Sequence, residues 1–261
     1  MAEMADRSIK SAERTLALFE RFSSVEHPLS VGEVSRDLAI PQASASMLLK
    51  NLTNLGYLEY DRKIRRFAPT IRIMLLGSWI NRKFLQSGNI AHELVRVERA
   101  VHEMSLIGIQ NGPHAQYVLI QGSDDNLTLD VSSGMLRSLT CSAIGRVLLS
   151  MKPDAEVLSW VNRANAEATE PRLRVNRGDF MKLIERVRAN GYAETAGDVT
   201  PGAGVIAVAI PSPMGTLKLA AGIAMPVERI PEKKERALAA LTDLQSRLAQ
   251  YVAASADTTT I

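Results

Sequence analysis

Hydrophobic residues recur at helical spacing along the first part of the chain. From Ser8 to Phe22 they stand three or four positions apart, which predicts an amphipathic helix. Its expected inner face consists of Ile9, Ala12, Leu16, Phe19 and Phe22. A second helix is predicted to begin at Ser30-Val-Gly-Glu33, because the serine and the glutamate have capping-box spacing. A third is predicted from Pro41, which suits a first helical position, to Leu55, with Gly56 as its terminator. The expected inner face of this third helix is Ala45, Leu48, Leu49, Leu52 and Leu55.

Beyond Gly56 the pattern changes to alternation. Residues 57–60 alternate like a strand, residues 66–69 form its expected return, and the basic stretch 61–65 is the turn between them. Two helices, a short turn, a third helix and a basic hairpin are typical of a winged helix-turn-helix. Such a unit places its third helix in the major groove of DNA and its hairpin along the phosphates. A three-helix bundle with an ordinary hairpin is the alternative.

The remainder of the chain alternates predicted strands and helices. Residues 71–84 form an expected connector helix, and the apolar positions that follow at heptad-like spacing predict packing on the domain or on a partner. These positions are Ile90, Leu94, Val97, Val101 and Met104. Strands are predicted at 105–110, 115–121, 127–131, 205–210 and 217–225, and helices near 142–151, 153–163 and 177–190 and at the C-terminal end. The expected fold class is α+β, with a mostly antiparallel sheet.

The predicted organisation is a helix-turn-helix domain over 1–70, a linker helix over 71–85, a larger domain over 86–254 and a flexible tail over 255–261. Charge follows the same division. The whole chain carries a net charge of +3, but residues 1–85 hold thirteen basic and nine acidic residues and are therefore +4. Residues 62–83 contain seven basic residues and no acid. A one-sided basic stretch is what a polyanion such as DNA binds, although a solvated surface gives the same pattern.

Composition excludes several other classes. One cysteine, Cys141, rules out a disulfide scaffold and suits a reducing compartment. The start of the chain lacks the pattern of a secretory signal, and the longest apolar run, residues 205–210, falls short of the roughly 20 residues of a membrane helix. We therefore expect a cytoplasmic protein without membrane contact.

The order of these segments resembles the IclR family of bacterial transcriptional regulators from about Ile9 to Ala254. The N-terminal segments that carry the resemblance are Ser11–Phe19, Leu38–Ser44 with Leu48-Leu49, Gly56-Tyr-Leu-Glu59 and Arg66–Pro69. The later ones are Leu139–Leu149, Arg188–Tyr192, Pro201-Gly202 and Gly222–Pro226. The resemblance implies a winged helix-turn-helix joined to a GAF-like effector-binding domain, in a dimer or tetramer that binds double-stranded operator DNA and a small-molecule effector. It implies no catalytic residue, cofactor or metal.

The DNA contacts are predicted on the third helix and the hairpin. Gln42, Ser44 and Ser46 are expected to read bases, while Lys50 and the wing supply affinity through phosphates. Met47 stands where this family usually has an arginine, so one strong contact is missing. The predicted wing residues are Arg62, Lys63, Arg65 and Arg66.

The effector site is predicted at the start of the helix near residue 142. Ser142 is the expected N-cap, leaving the amides of Ala143, Ile144 and Gly145 to face a carboxylate, although a plain capped helix is the alternative. The resemblance adds four positions on the late strands and the turn before them: Thr195, Val205, Gly222 and Ala224. Only the threonine is polar. We therefore predict a roomier, more apolar pocket and a medium-sized organic acid, aromatic or otherwise bulky, rather than glyoxylate or pyruvate.

Two rival functions stand beside this prediction. An enzyme would use Cys141 as a thiolate with His114 as base, but no spacing connects them, and a lone cysteine is more often a buried hydrophobe. An architectural DNA-binding protein would bind DNA without an effector. His92 and His102 are expected to face solvent rather than a metal, and Gly202-Ala-Gly204 to form a turn rather than a dinucleotide motif.

Overall fold

The computed structural model describes residues 9–80, 90–122, 131–212 and 215–257. Its internal contacts divide the chain into two compact units, with the division between Asn81 and Arg82. The N-terminal unit holds α1 (Lys10–Val25), α2 (Val31–Asp37), α3 (Gln42–Asn54), β1 (Leu58–Asp61), β2 (Arg66–Pro69) and α4 (Arg72–Leu76). Its strands pair antiparallel, with Asp61 opposite Arg66. This is the predicted winged helix-turn-helix.

One buried cluster holds the N-terminal unit together, and it corrects the predicted face of α1. Leu18 and Phe22 are buried, whereas Ile9 and Leu16 are 68% and 65% exposed. The predicted face is therefore right at its C-terminal end, where Phe19 and Phe22 meet the core, and wrong for Ile9, Ala12 and Leu16. On α3 the predicted residues Ala45, Leu49 and Leu52 are buried, but Leu55 follows the helix and is exposed.

The predicted capping box and terminating glycine are confirmed, whereas α1 runs to Val25 instead of Phe22 and the start of α3 differs from the prediction. Ser30 and Glu33 form a capping box: the Ser30 hydroxyl accepts the Glu33 amide, and the Glu33 carboxylate accepts the Ser30 amide. Gly56 ends α3 in the left-handed region, with φ 78°, and its amide donates to Thr53 O. Pro41 is the N-cap of α3 rather than its first helical residue, because its ψ of 142° is extended.

The C-terminal unit is built on a six-stranded antiparallel sheet. Its strands are β3 (Met104–Asn111), β4 (His114–Gln121), β5 (Leu136–Ser138), β6 (Tyr192–Ala196), β7 (Ala203–Ile210) and β8 (Leu219–Pro226). Their spatial order is β5-β4-β3-β8-β7-β6. The helices are α5 (Ile90–Val101), α6 (Ala143–Ser150), α7 (Asp154–Glu167), α8 (Arg177–Asn190) and α9 (Ile230–Asp257), with short 3₁₀ turns at Pro171–Leu173 and Val227–Arg229. The α+β prediction is confirmed.

Helices cover both faces of this sheet. On one face α6, α7 and α8 pack against Leu106 and neighbouring strand residues. On the other face α5 and α9 pack against Ile107 and its neighbours. The predicted seam on α5 therefore lies within its own domain, and Met104 is not part of it, because it belongs to β3 and packs on the opposite face.

Some predictions fall at the edge of the described residues. Of the predicted strand 127–131 only Val131 is described, and the connector helix is described to residue 80, with Gly77 ending α4. Helix α9 continues to Asp257, past the predicted start of the tail at 255, and residues 258–261 lie outside the described ranges. No helix within the described ranges is long and apolar enough to span a membrane.

Candidate functional site

The outer side of α3 carries the residues predicted to read DNA. Gln42, Met47 and Lys50 are exposed, and Ser44 and Ser46 are half-buried. Met47 is 73% exposed, so it presents a thioether to solvent rather than filling the core. The helix contains no acidic residue, so nothing on it repels a phosphate. This face is suited to contacts with base edges.

The hairpin tip is an ordered turn that presents three cations. The Asp61 carboxylate accepts the amides of Lys63 and Ile64 at 2.7 and 3.3 Å, and Arg65 adopts a left-handed φ of 54°. Arg62, Lys63 and Arg65 are all exposed. The turn therefore holds its backbone fixed while the basic side chains face solvent.

A groove of about 520 Å³ separates α3 from the hairpin and the start of α2. Ser46 and Lys50 line its α3 side, and Arg65 lines its hairpin side. Val31 and Phe67 contribute apolar walls. The groove therefore has one cation on its α3 side and one on its hairpin side.

Arg66 does not belong to this exposed set. Its guanidinium donates to both carboxylate oxygens of Glu33, at 2.8 and 3.1 Å, and to Pro28 O at 2.8 Å. The sequence placed it with the phosphate contacts because it stands in a basic run, but its donors are engaged within the domain. The ion pair gives Arg66 a structural role at the base of the hairpin, and its DNA contact stays a prediction.

In the C-terminal unit, five of the seven predicted effector residues line one inner cavity. These five are Ser142, Ala143, Thr195, Val205 and Ala224. The cavity is small, about 30 Å³, because Tyr117, Arg137 and Val199 close around it. About 10–15 Å³ of such space accommodates one water. The inner cavity is therefore smaller than the roomy pocket that the sequence predicted.

The start of α6 differs from the prediction in detail. Ser142 is the N-cap, but its hydroxyl accepts the Gly145 amide at 3.1 Å and donates to Ser138 O at 2.7 Å. The Gly145 amide is therefore already bonded, and this end of the helix is buried rather than facing outward. Ser142 and Ala143 are the residues of this end that reach the cavity.

Two predicted effector residues do not line it. Ile144 is fully buried in the core, and a Cβ on Gly222 would stand 3.1 Å from Ile144 Cδ1. Gly222 therefore makes room for Ile144, not for a ligand.

The sequence missed the cation of the cavity. Arg137 lies on β5 and lines the cavity beside Tyr117. Burial raises the pKa of Tyr117, and the positive charge of Arg137 opposes that rise. Thr200 adds a second threonine to the lining. The sequence signal that could have identified Arg137 is its position two residues before the buried run that starts at Leu139.

A loop over residues 197–202 closes the cavity and is fastened to α6. Arg146 donates to Asp198 Oδ2 at 2.6 Å and also to the carbonyl oxygens of Thr140 and Glu194. Asp198 Oδ1 accepts the Ala196 amide at 3.0 Å. Val199 and Thr200 of the same loop line the cavity, so this ion pair holds part of its wall.

The features that favoured an enzyme have ordinary structural roles. Cys141 is buried, and its sulfur lies 3.4 Å from Leu173 O. His92 and His102 are exposed, and no group of three or more potential metal ligands occurs in the ranges that the structure describes. Gly202 has a φ of 77° and occupies the turn before β7.

Comparison with known proteins agrees with both units. A model of the IclR helix-turn-helix domain matches residues 11–62. A model of the bacterial transcriptional regulator IclR C-terminal domain matches residues 85–249, which is more than half of the chain. The chain belongs to the IclR family. Like its relatives it is a transcriptional regulator with an N-terminal helix-turn-helix domain and a C-terminal effector domain.

Individual relatives span most of this IclR-family chain. The Pca regulon regulatory protein of Pseudomonas putida is 25% identical over 225 residues, which cover 84% of this chain and 75% of that protein. The fold is similar to that of an IclR regulator from Alicyclobacillus acidocaldarius, with a TM-score of 0.78, 19% identity and coverage of 94% and 99% of the two chains. It is also similar to an IclR homologue from Microbacterium hydrocarbonoxydans in complex with 4-hydroxybenzoate, with a TM-score of 0.74, 17% identity and coverage of 92% and 99%.

Proposed function

We propose that this IclR-family regulator binds an operator through α3 and the wing, and that a small organic acid in the inner cavity changes that binding. Residues 1–70 form the DNA-binding domain, residues 71–85 the linker helix and residues 86–254 the effector and oligomerisation domain. As the family resemblance implies, the chain acts as a dimer or tetramer, which places two helix-turn-helix units on two half-sites.

The DNA contacts follow from exposure and charge. Gln42, Ser44 and Ser46 contact bases, while Met47 offers only an apolar contact. Lys50 and the wing-tip cations neutralise phosphates: the wing-tip set is Arg62, Lys63 and Arg65. Each neutralised phosphate releases counterions, so affinity falls as salt rises.

The effector argument depends on one observation, the convergence of five predicted residues on a single cavity that also holds Arg137. A guanidinium, two threonine hydroxyls and a helix start favour an anion, while Leu106, Val131 and Val205 supply apolar walls. An aromatic acid is the first probe to use, because a structural neighbour holds 4-hydroxybenzoate.

Gel-shift titrations at several salt concentrations test the DNA part. Lys63→Ala with Arg65→Ala is expected to weaken binding to operator and random DNA alike and to lower the salt slope by roughly 0.9 for each phosphate that is no longer neutralised. Lys182→Ala with Arg186→Ala removes the same charge from two exposed positions on α8 of the C-terminal unit and is the control. An unchanged slope in the wing variant contradicts the wing assignment. Equal affinity for operator and random DNA favours the architectural alternative.

Thermal-shift and calorimetric titrations with 4-hydroxybenzoate and pyruvate test the effector part. We expect 4-hydroxybenzoate to stabilise the protein and to change its affinity for the operator. Thr195→Val removes the buried hydroxyl but keeps the shape of the side chain, and it is expected to weaken both effects. Tight binding of pyruvate without binding of any aromatic acid rejects the predicted ligand class. Turnover of either acid would indicate an enzyme.

A further inference from the structure

Two hollows of the C-terminal unit meet at one wall. The inner cavity of about 30 Å³ and an outer cleft of about 310 Å³ are both lined by Arg137 and Val199. The outer cleft lies beside the end of α7 and the 3₁₀ turn at Pro171–Leu173, where Ala168, Thr169 and Leu173 line it. Nothing in the predicted effector set reaches this cleft.

The two shared residues lie in different parts of the fold. The backbone of Arg137 is paired with Ala115 through β5, and the residue lines both spaces. Val199 stands on the loop over 197–202, outside any strand, and is half-buried. Because Val199 lies outside the sheet, a shift of this loop is the movement that joins the two spaces in our proposal.

The sizes of the two spaces divide a ligand into two parts. The inner cavity has room for a group of a few atoms, such as a carboxylate, next to Arg137 and the threonines. The outer cleft, at about 310 Å³, lies at the lower end of the usual range for ligand pockets, about 300–1,000 Å³. Its walls include apolar Leu136 and Leu173 and the small side chains of Ala164 and Ala168.

The rim of the outer cleft is polar, but two of its charged side chains neutralise each other. Glu170 and Arg172 line it and pair with each other at 2.7 Å. His114 lines it from the start of β4. An apolar body that ends in a hydrogen-bonding group fits these surroundings better than a second charge does.

We propose that the effector is an elongated organic acid whose carboxylate occupies the inner cavity and whose apolar body passes between Arg137 and Val199 into the outer cleft. The proposal rests on the proposed function, since it takes the inner cavity as the acid site. It makes Ala168 a specificity-determining residue: its small side chain leaves space for the body of the ligand. It also resolves the mismatch between a small cavity and a bulky acid.

Calorimetry with pyruvate, benzoate and biphenyl-4-carboxylate tests the proposal on the full chain. Ala168→Trp fills the outer cleft and is expected to weaken binding of biphenyl-4-carboxylate by roughly tenfold or more, while any binding of pyruvate changes by less than about twofold. Ala166→Trp, in the last turn of α7 but exposed and outside the cleft lining, is the matched control and leaves all affinities unchanged. If Ala168→Trp unfolds the domain, Thr169→Trp takes its place, because Thr169 is exposed and lines the same cleft.

Each outcome separates this proposal from the proposed function. Equal loss of all three acids in Ala168→Trp, or no loss of the longest acid in either cleft variant, overturns the two-cavity site. Binding of benzoate without binding of biphenyl-4-carboxylate overturns it too and leaves an acid effector in place. If none of the acids binds while operator binding is intact, both the two-cavity site and the acid effector are rejected, and DNA binding stands.

Discussion

Arg66 on the wing and Glu33 in the first turn of α2 form a two-pronged ion pair, with N–O distances of 2.8 and 3.1 Å. The same Glu33 oxygen that accepts from Arg66 NH1 also accepts the amide and the hydroxyl of Ser30. The helix cap and the wing are therefore one hydrogen-bonded network. Since the wing tip carries the exposed cations, this pair fixes the base of the hairpin that presents them.

The Glu33 carboxylate makes the free energy of unfolding of the N-terminal unit depend on pH. The hydrogen bonds from Ser30, and then the Arg66 guanidinium, lower the pKa of Glu33 from 4.5 to about 2. A lowered folded-state pKa contributes stability that is complete above about pH 4.5 and is lost as the pH falls toward 2. We expect Glu33→Gln to destabilise the full chain more at pH 6 than at pH 3 in denaturant titrations.

A matched carboxylate provides the control for this measurement. Glu59→Gln, on the exposed side of β1, removes the same charge from the same unit but leaves the Ser30–Glu33–Arg66 network intact. An NMR titration of the Glu33 carboxyl should give a midpoint near 2. A Glu33→Gln effect of equal size at pH 6 and pH 3 contradicts the network as the source of the shift.

Met47 offers a way to add back a missing DNA contact. Its side chain is 73% exposed on α3, so Met47→Arg places a guanidinium toward DNA without disturbing the core. We expect tighter operator binding and a salt slope that is steeper by about 0.9 if the new group reaches a phosphate. Ala166→Arg adds the same charge to the exposed side of α7 and is expected to leave the slope unchanged. No change of affinity in Met47→Arg would show that this face of α3 does not meet the DNA.

The sequence predicted the element order well because local rules govern it. The capping box at Ser30, the terminating Gly56 and the apolar runs of β7 and β8 are each decided by neighbouring residues. Three features are decided at long range, and the sequence missed all of them. The buried face of α1 is set by its packing against Leu29 and Phe67, which follow it in the chain. The ion pair of Arg66 depends on Glu33, 33 residues earlier. The position of Arg137 depends on the pairing of β5 with β4.

The close approach of α6 to the preceding turn requires a glycine at position 145. A Cβ there would stand 2.2 Å from Leu139 O and 2.6 Å from Leu139 Cα, both backbone atoms that cannot rotate away. We expect Gly145→Ala to destabilise the C-terminal domain by about 3 kcal/mol, the upper part of the usual range for overpacking. Gly178→Ala at the start of α8 is the control, since its Cβ meets only the Asn176 side chain at 3.4 Å. Equal stability of the two variants in thermal unfolding would contradict the tight packing of α6.

The loop that separates the two hollows is held by the ion pair between Arg146 and Asp198. Arg146 is only 11% exposed and its bond to Asp198 is 2.6 Å long, so the removal of charge in Asp198→Asn weakens a partly shielded interaction. We expect the loop over 197–202 to open roughly tenfold more often, which corresponds to about 1.4 kcal/mol for a charge-assisted hydrogen bond. Deuterium uptake should therefore rise at the amides of Ala196 and Gly197, which donate to Asp198 Oδ1 and Ala203 O. Asp179→Asn breaks an exposed pair with Lys182 on α8 and should leave this uptake unchanged.

Because Val199 borders both hollows, more frequent opening of the loop over 197–202 should also speed the association of a long acid. If uptake rises without faster association, the loop does not limit entry of the ligand.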